Sequence, residues 1–333
     1  MGLTTSGRPL RVWAVSDGRA GIEAQALGLA EALSRQRPAD VSIKRVGWRW
    51  GLGRLPYPII PPAARRGDPI GPPWPDLWIA TGRATLPLST RVRAWSGGRT
   101  FVVQTQDPRA PLSSFDLVIP PDHDQLSGSN VFSILGAPTR LDTATLAAGA
   151  ARIAGRVADL PSPRVAVIIG GRSRAHDLPA DHARDLAIRI ADAARSAGAS
   201  LMVSFTRRTP PAARAAIAET LADVPAWIWN DEGENPYAGF LGLADAVLVT
   251  ADSANLATDA AATGKPVFIL PVPGRSAKLE LLHAALAARG VAQPFNGRFQ
   301  GPTYLPLAET ARAAAEVWRR YDLWKGTAGV VLN

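Results

Sequence analysis

The chain has 333 residues, of which 47% are hydrophobic and 20% are charged, and it contains no cysteine. At roughly 100–200 residues per domain this length predicts two domains, and the composition excludes a disordered chain. The lack of cysteine excludes a disulfide framework, a thiolate metal site and a cysteine nucleophile. No apolar run approaches the roughly 20 residues of a transmembrane helix, and the opening MGLTTSGRPLRVWAV lacks the apolar core of a secretory signal. We therefore expect a cytoplasmic protein, at most peripherally attached to the inner face of a membrane.

The net charge is +9, and only four of the 37 basic residues are lysine. A chain this rich in arginine and alanine reflects either the base composition of its gene or an anionic partner. A phosphate ligand, an acidic lipid surface and nucleic acid are the partner classes that such a charge favours.

Short β-branched runs alternate with amphipathic helical stretches, a pattern typical of α/β folds with parallel sheets. The first half predicts a strand at residues 11–15 and a helix from about residue 21. Further strands are predicted at residues 41–46, 77–80, 100–104, 117–119 and 131–135. A helix at 143–158 and a proline-rich turn after it predict a hinge near residue 160.

The same pattern begins again after this hinge, with strands predicted at residues 165–169, 201–205, 226–229, 246–249 and 267–270. A last helix at 308–324 is long enough to cross back to the first domain. We predict two Rossmann-like, doubly wound α/β domains that face each other across a cleft. The predicted bounds are 1–158 and 159–307, with 308–333 packing back on the first domain.

Residues 41–67 carry six basic side chains and no acidic one, interleaved with aromatic and aliphatic residues. Eight prolines between Pro56 and Pro75 predict an ordered irregular loop rather than a helix. The loop is either solvated and packed by its own aromatic side chains, or a surface that meets anionic lipid. Single-stranded nucleic acid is a third partner class, which the sequence disfavours because it has no nucleic-acid-binding signature.

Two strand ends in the second half combine glycine and basic residues in a way that suits phosphate groups. Paired glycines let the backbone approach an anion, and arginines after a strand lie at the carboxyl edge where open α/β sheets bind ligands. The plainer alternative is a tight turn with exposed arginine. The candidate phosphate-binding residues are Gly170, Gly171, Arg172, Ser173, Arg207 and Arg208.

A third strand end opens a helix at Asp252 and Ser253, where free amides and the helix dipole favour a phosphate. Asn255 and Asp259 are four residues apart and share one helix face, so Asp259 is placed to accept two ribose hydroxyls. The plainer interpretations are an N-cap at Asp252 and a solvated helix face at Asp259.

The loop at residues 230–240 follows another predicted strand and contains Asn235 and Tyr237. One interpretation is that these two side chains contact the base or sugar of a nucleotide. The other is that they simply begin the next helix, and the sequence leaves both open.

Candidates for acid–base chemistry lie in the first domain. Glu23 is in the first turn of the first helix, whereas Asp107 and His123 follow two later strands and are expected at one sheet edge. A histidine held by a carboxylate can act as a general base; the alternative is that these polar turns only satisfy their own hydrogen bonds. No second His–carboxylate cluster has metal-ligand spacing, so we expect no metal site.

Together these motifs resemble the bacterial relatives of the plant mitochondrial-fission (elongated-mitochondria) family. The resemblance covers residues 16 to about 271 and is carried by SDGRAGIEAQALGLAEAL, PDLWIATGR, QTQDPR, IPPDHD, GGRSRAHDL, SFTRRTP, ENPY and VTADSANLATDAAATGKPV. This family is similar in turn to GT-B-fold glycosyltransferases, particularly those that hand a nucleotide-activated sugar to a lipid or membrane-associated acceptor.

The resemblance implies a nucleotide-sugar donor in the second domain, with Gly170 and Gly171 near its phosphates, and an acceptor in the first. The family residue before A-A-x-x-G-K-P is usually Glu and contacts the ribose, whereas here it is Asp259, one methylene shorter. The base of an inverting transferase commonly lies on a first-domain loop, for which Glu23 and His123 are the matching candidates.

The leading hypothesis is a metal-independent transferase without a cofactor, which passes a sugar to a lipid or envelope polysaccharide. Helix amides and one or more of the candidate arginines would stabilise the departing nucleoside diphosphate. A second hypothesis is a non-catalytic interaction protein that acts at a membrane surface. A third is a nucleotide-sugar epimerase, which needs no acceptor.

Overall fold

The computed structural model describes residues 8–331, with side chains up to residue 327. Residues 1–7, on which part of the secretory-signal expectation rests, lie outside the described residues. The chain divides into two compact units, Met1–Arg140 with Glu309–Asn333, and Leu141–Ala308. Among the described residues, no helix has the length and apolar character needed to cross a membrane.

The first unit is built on a six-stranded sheet with the strand order β3-β2-β1-β4-β5-β6. All neighbouring pairs are parallel except β2 with the short β3. Its strands are β1 (Leu10–Ser16), β2 (Ala39–Trp48), β3 (Arg65–Gly67), β4 (Leu77–Thr81), β5 (Phe101–Thr105) and β6 (Leu117–Ile119), and its helices are α1 (Ala20–Gln36), α2 (Leu86–Trp95) and α9 (Glu309–Val331).

Helices α1 and α9 cover one face of this sheet. Buried α1 side chains such as Leu29 and Leu33 belong to the same apolar cluster as Trp318 and Tyr321 of α9. Gly28 lets α1 approach the neighbouring backbone, since a Cβ there would lie 2.6 Å from the carbonyl carbon of Thr139. The C-terminal helix therefore packs on the first unit.

The second unit repeats the plan with the strand order β12-β11-β10-β7-β8-β9, all parallel. Counted along the chain within each unit, both sheets have the order 3-2-1-4-5-6 of Rossmann-like domains, which confirms the predicted fold class. Its strands are β7 (Arg164–Ile169), β8 (Ser200–Phe205), β9 (Ala226–Ile228), β10 (Ala246–Thr250), β11 (Val267–Leu270) and β12 (Ala292–Pro294), and its helices are α3 (Thr143–Ile153), α4 (Ala180–Ala197), α5 (Pro211–Thr220), α6 (Tyr237–Leu243), α7 (Ala254–Ala261) and α8 (Ala277–Ala288).

Two details differ from the sequence prediction. The strand predicted at 131–135 is wrong, because this stretch makes only isolated bridges, from Val131 to Val118 and from Ile134 to Pro121. Helix α3, assigned to the first domain from sequence, belongs to the second unit. A Cβ on Gly149 of α3 would lie 2.7 Å from the Gly239 amide nitrogen of α6, so the two helices pack backbone to backbone and the division falls after residue 140 instead of 158.

Candidate functional site

The sheet of the second unit has a topological switch point between β7 and β10. The chain leaves β7 towards β8 on one side and leaves β10 towards β11 on the other. Open α/β sheets bind ligands in the crevice outside the carboxyl ends of such strands. The loops that begin at Gly170 and Ala251 follow these two ends.

Gly170 brings the two loops into direct contact. Its amide donates to Thr250 Oγ1 over 2.7 Å, and a Cβ on Gly170 would lie only 2.2 Å from Asp252 Oδ1. Gly171 has a φ of +145°, and the next amide, that of Arg172, donates to the Arg208 carbonyl over 2.9 Å. Glycine is therefore required at residue 170 for space and suits residue 171 for its backbone angle.

Asp252 is a carboxylate at the centre of this contact, with no exposed side-chain surface. Arg208 Nη2 lies 2.8 Å from Asp252 Oδ2, while the Arg208 side chain keeps 40% of its surface exposed. Neither oxygen of Asp252 has a hydrogen bond of good geometry among the described residues. The buried carboxylate thus holds the guanidinium at the mouth of the loops mainly by charge.

The loop that carries Arg208 is fixed by its own threonines. Thr209 Oγ1 lies 2.5 Å from the Gly170 carbonyl oxygen and also accepts the Thr206 amide over 3.1 Å. The amide of Arg208 donates to Thr206 Oγ1 over 3.3 Å. These bonds tie the 206–209 loop to the glycine pair, so the position of Arg208 is set by the backbone.

Helix α7 begins next to the glycine pair. Ser253, not Asp252, is its N-cap, and Ser253 Oγ accepts the Leu256 amide over 3.5 Å. The interpretation of Asp252 as an N-cap is therefore wrong. The N-terminus of α7 lies at the switch point beside the glycine pair, an arrangement that suits a phosphate.

Asp259 lies on α7 and accepts a 2.8 Å hydrogen bond from the Tyr237 hydroxyl. Burial and the charge of Asp259 raise the pKa of Tyr237 well above its usual value, so this hydroxyl stays protonated and donates. Asn235 Oδ1 accepts the Tyr237 amide over 2.9 Å, which is the turn that begins α6. This bond favours the interpretation of Asn235 as a helix-starting residue.

The other residues predicted to contact phosphate are more dispersed than those around Asp252. Arg172 Nε donates to Asp177 Oδ1 over 3.2 Å, and both side chains are exposed; this bond lowers the pKa of Asp177. Ser173 Oγ accepts the amides of Ala175 and His176 and so closes a turn. Arg207 is exposed on the loop after β8, and Asn255 is half-buried in the first turn of α7.

In the first unit Glu23 is held by Arg45, a partner that no sequence motif indicated. Arg45 Nε donates to Glu23 Oε2 over 2.6 Å and Arg45 Nη2 to Oε1 over 3.0 Å. These bonds lower the pKa of Glu23. An efficient general base has a pKa near the working pH, so this ion-paired carboxylate is poorly suited to that role.

The loops after β5 and β6 do meet, as adjacent parallel strands require. The amide of Asp107 donates to Asp124 Oδ2 over 3.3 Å, and His123 lies in the 3-10 turn Asp122–Asp124. Gln106 and Gln125 on these loops have φ values of +75° and +54°. Non-glycine residues in this left-handed region carry strain that concentrates at functional sites.

The described residues offer no evident site for a metal ion. Within residues 8–331, no three His, Asp or Glu side chains are grouped closely enough to hold a metal ion. The local charges at the switch point come from Asp252 and the arginines, so the groups available for phosphate are guanidinium and backbone N–H.

Sequence comparison shows to which protein family the chain belongs. The model of the family described as "Mitochondrial fission ELM1" matches residues 20–321. The chain belongs to this family. An Arabidopsis thaliana relative, "Mitochondrial fission protein ELM1", is 32% identical over 272 residues, which cover 74% of this chain and 64% of the plant protein. A Rickettsia prowazekii (strain Madrid E) relative described as uncharacterized is 25% identical and covers 92% of this chain and 97% of its own length.

Solved structures share the fold of this member of the ELM1 family. The UDP-GlcNAc 2-epimerase of Methanocaldococcus jannaschii, in complex with UDP-GlcNAc and UDP, has a TM-score of 0.53 at 10% identity, over 93% of this chain and 99% of that one. The UDP-GlcNAc 2-epimerase of Neisseria meningitidis bound to UDP-GlcNAc has a TM-score of 0.51 at 13% identity, over 94% and 93%. At these identities the likeness concerns the GT-B-like fold alone.

Proposed function

We propose that this protein binds the diphosphate of a nucleotide sugar at the β7–β10 switch point and transfers the sugar to an acceptor hydroxyl. The observation that carries the proposal is the meeting of Gly170 and Gly171 with Arg208 and the start of α7 at one strand edge. Backbone amides, a helix N-terminus and a guanidinium are the groups that recognise phosphate in such folds.

Each residue has a distinct part in this proposal. Asp252 orients Arg208, whose exposed nitrogens face a phosphate, and the charge pair keeps Asp252 from repelling that phosphate. The first-turn amides of α7 supply further donors, whereas the amides of Gly170 and Arg172 are already bonded to Thr250 and Arg208. As the sugar bond breaks, negative charge grows on the departing diphosphate, and preorganised donors stabilise that charge without a metal ion. Asp259, positioned by Tyr237, is the candidate ribose contact.

The first unit supplies the acceptor side in this proposal. His123, on a loop bonded to that of Asp107, is a better base candidate than Glu23, because the bonds from Arg45 lower the pKa of Glu23 and so weaken it as a proton acceptor. The acceptor class we propose is a lipid or an envelope polysaccharide.

Two other functions each have an observation in their favour. The solved structures described above are UDP-GlcNAc 2-epimerases, which favours an epimerase that acts on a nucleotide sugar alone. The name of the plant relative concerns mitochondrial fission, and Arg45 engages both carboxylate oxygens of Glu23, one of the two candidate bases. These two facts favour a non-catalytic interaction protein that acts at a membrane surface.

Thermal unfolding with a panel of nucleoside diphosphates and nucleotide sugars tests nucleotide binding, the first step that the transferase and the epimerase share. A true ligand at a hundredfold excess over Kd stabilises the folded state by about 2.7 kcal/mol. Arg208→Gln is expected to abolish most of this gain, because a hydrogen bond to a charged group contributes roughly 1.5–3 kcal/mol. Arg195→Gln is the matched control, since Arg195 is an exposed residue of α4 in the same unit.

The outcomes separate the candidates. If no member of the panel raises the unfolding temperature, or if Arg208→Gln responds as Arg195→Gln does, the donor site is refuted. Given binding, conversion of the nucleotide sugar without any acceptor identifies an epimerase. Release of nucleoside diphosphate that needs an acceptor and is lost in His123→Ala identifies the transferase, and binding without turnover identifies the interaction protein.

A further inference from the structure

A cavity in the first unit takes no part in the nucleotide proposal. It measures about 370 Å³ and is bordered by β1, β2, β3 and the proline-rich loop after β3. Three of its lining residues are cations and none is an acid; the rest are mostly apolar. The cations are Arg11, Lys44 and Arg65, and the apolar members include Trp13, Ile70, Pro69, Pro72 and Pro73.

The three cations of this cavity have no carboxylate partner among the described residues. Lys44 Nζ lies 4.8 Å from the centre of the Trp13 ring. Arg65 Nη1 donates to the carbonyl of Asp68. By contrast, Arg45, the neighbour of Lys44, is paired with a carboxylate, as are many arginines of this chain.

Arg11 is the strongest indication of an anionic ligand. Its Nη1 makes only a long bond, 3.4 Å, to the Pro73 carbonyl, and its Nε is buried with no hydrogen-bond partner. Buried N–H groups are nearly always paired, because an unpaired one costs the full loss of hydration. An arginine without a carboxylate partner, beside two further cations that also lack one, is suited to phosphate oxygens.

The segment that follows β2 indicates which class of anion suits the cavity. Trp50 and Ile59 keep 80% and 64% of their surface exposed, and they alternate along the chain with Arg49 and Arg54. Trp50 lies in a turn with a φ of +51°. Arg65, which lines the cavity, is paired in register with Trp48, so this segment begins beside the cavity. Exposed tryptophan and isoleucine flanked by arginine are typical of a membrane interface.

We propose that the cavity binds the phosphate of an anionic lipid headgroup while Trp50 and Ile59 enter the headgroup boundary. Three cations without a carboxylate partner match the phosphate, and the apolar remainder of the lining matches the glycerol and upper acyl chain of the same molecule. A free phosphate would use the cations but would leave the exposed apolar side chains unexplained. This site does not depend on nucleotide binding, because all of its residues belong to the first unit.

Co-sedimentation of the full chain with vesicles tests the proposal. We expect binding to phosphatidylcholine vesicles that contain phosphatidylglycerol, and little binding to phosphatidylcholine alone. One basic residue near an anionic surface changes the partition coefficient about fivefold, so Lys44→Met should lower it about fivefold. The triple variant Arg11→Gln, Lys44→Met, Arg65→Gln should lower it about a hundredfold.

The matched control removes three positive charges from the second unit instead of the first. Arg184, Arg195 and Arg289 are exposed residues of the second unit, and their triple change to Gln should leave most of the binding intact. Trp50→Ser should weaken binding, whereas Leu305→Ser should not, although Leu305 is 88% exposed. Nucleotide-induced stabilisation is measured on every variant and should match the wild type, so the two proposals fail separately.

Three results would overturn the proposal. Equal losses in the two triple variants would show that diffuse charge, not the cavity, attracts the membrane. Failure to bind the phosphatidylglycerol vesicles would exclude an anionic lipid as the ligand of the cavity. Thermal stabilisation by inorganic phosphate or glycerol phosphate, lost in Lys44→Met and without vesicle binding, would assign the cavity to a soluble phosphate.

Discussion

Gly170→Ala gives a sharp steric test of the switch-point geometry. The added Cβ would lie 2.2 Å from Asp252 Oδ1 and 2.6 Å from Oδ2, so atoms must move by about an ångström to reach ordinary contact. The Asp252 side chain has no exposed surface into which it can turn. Gly170 has no positive φ, so the cost of the change is steric and does not come from backbone strain.

The expected loss of stability follows from this contact. Overpacking by one methyl group usually costs 1–3 kcal/mol, and displacement of Asp252 from Arg208 adds to that figure. We expect the free energy of unfolding of the second unit to fall by about 2–4 kcal/mol. At roughly 2–4 °C per kcal/mol for a unit of this size, differential scanning calorimetry should show a lower melting temperature by at least about 4 °C.

A double-variant cycle identifies the atom responsible. In an Asp252→Ala background the clashing oxygens are gone, so Gly170→Ala should cost much less and the coupling should exceed about 1 kcal/mol. Gly155→Ala is the control, because a Cβ on Gly155 meets nothing within 4 Å. A cost below about 0.5 kcal/mol for Gly170→Ala, or the same cost in both backgrounds, would refute the geometry.

Three further predictions concern other contacts. Tyr237→Phe removes the hydrogen bond to the Asp259 carboxylate and should lower the free energy of unfolding by about 1.5–3 kcal/mol in urea titrations; no loss would contradict the bond. Two arginines on α9 lower the pKa of Glu316 to about 2, below its unfolded value, so its stabilising contribution is complete above about pH 4.5 and disappears as the pH falls towards 2. When stability is measured across this pH range, its decline towards low pH should be shallower for Glu316→Gln than for the wild type. Identical pH profiles of the two proteins would contradict the pairing. Gly28→Ala should destabilise the first unit by about 1–3 kcal/mol, because its Cβ would meet the Thr139 backbone at 2.6 Å; calorimetry that shows stabilisation, as for an unhindered helix glycine, would contradict this packing.

Much of the fold was predictable because strand periodicity is a local property. The runs at 165–169 and 246–249 are continuous and apolar, as strands buried on both faces must be, and they became β7 and β10. The stretch at 131–135 also contains β-branched residues, Val131 and Ile134, yet it only bridges to β6 and the loop after it. Composition alone does not determine whether such a stretch pairs fully with a neighbouring strand.

The candidate site was predictable in its elements but not in its pairings. Alternating strands and helices place Gly170 and Arg208 at one sheet edge, because carboxyl ends of parallel strands lie together. The contact between Gly170 and Asp252 joins residues 82 positions apart along the chain. Likewise, no local pattern pairs Glu23 with Arg45, although this ion pair lowers the pKa of Glu23.

By itself the sequence determined the strand and helix pattern, the absence of thiol chemistry and the excess of arginine, since each follows from residue type and spacing. The tertiary structure decided which charges are neutralised by a partner and which are not. Arg45 is paired, whereas Lys44, its neighbour, lines a cavity without an acid. The reason is that the field at a side chain is set by residues that are near in space, and only folding brings those residues together.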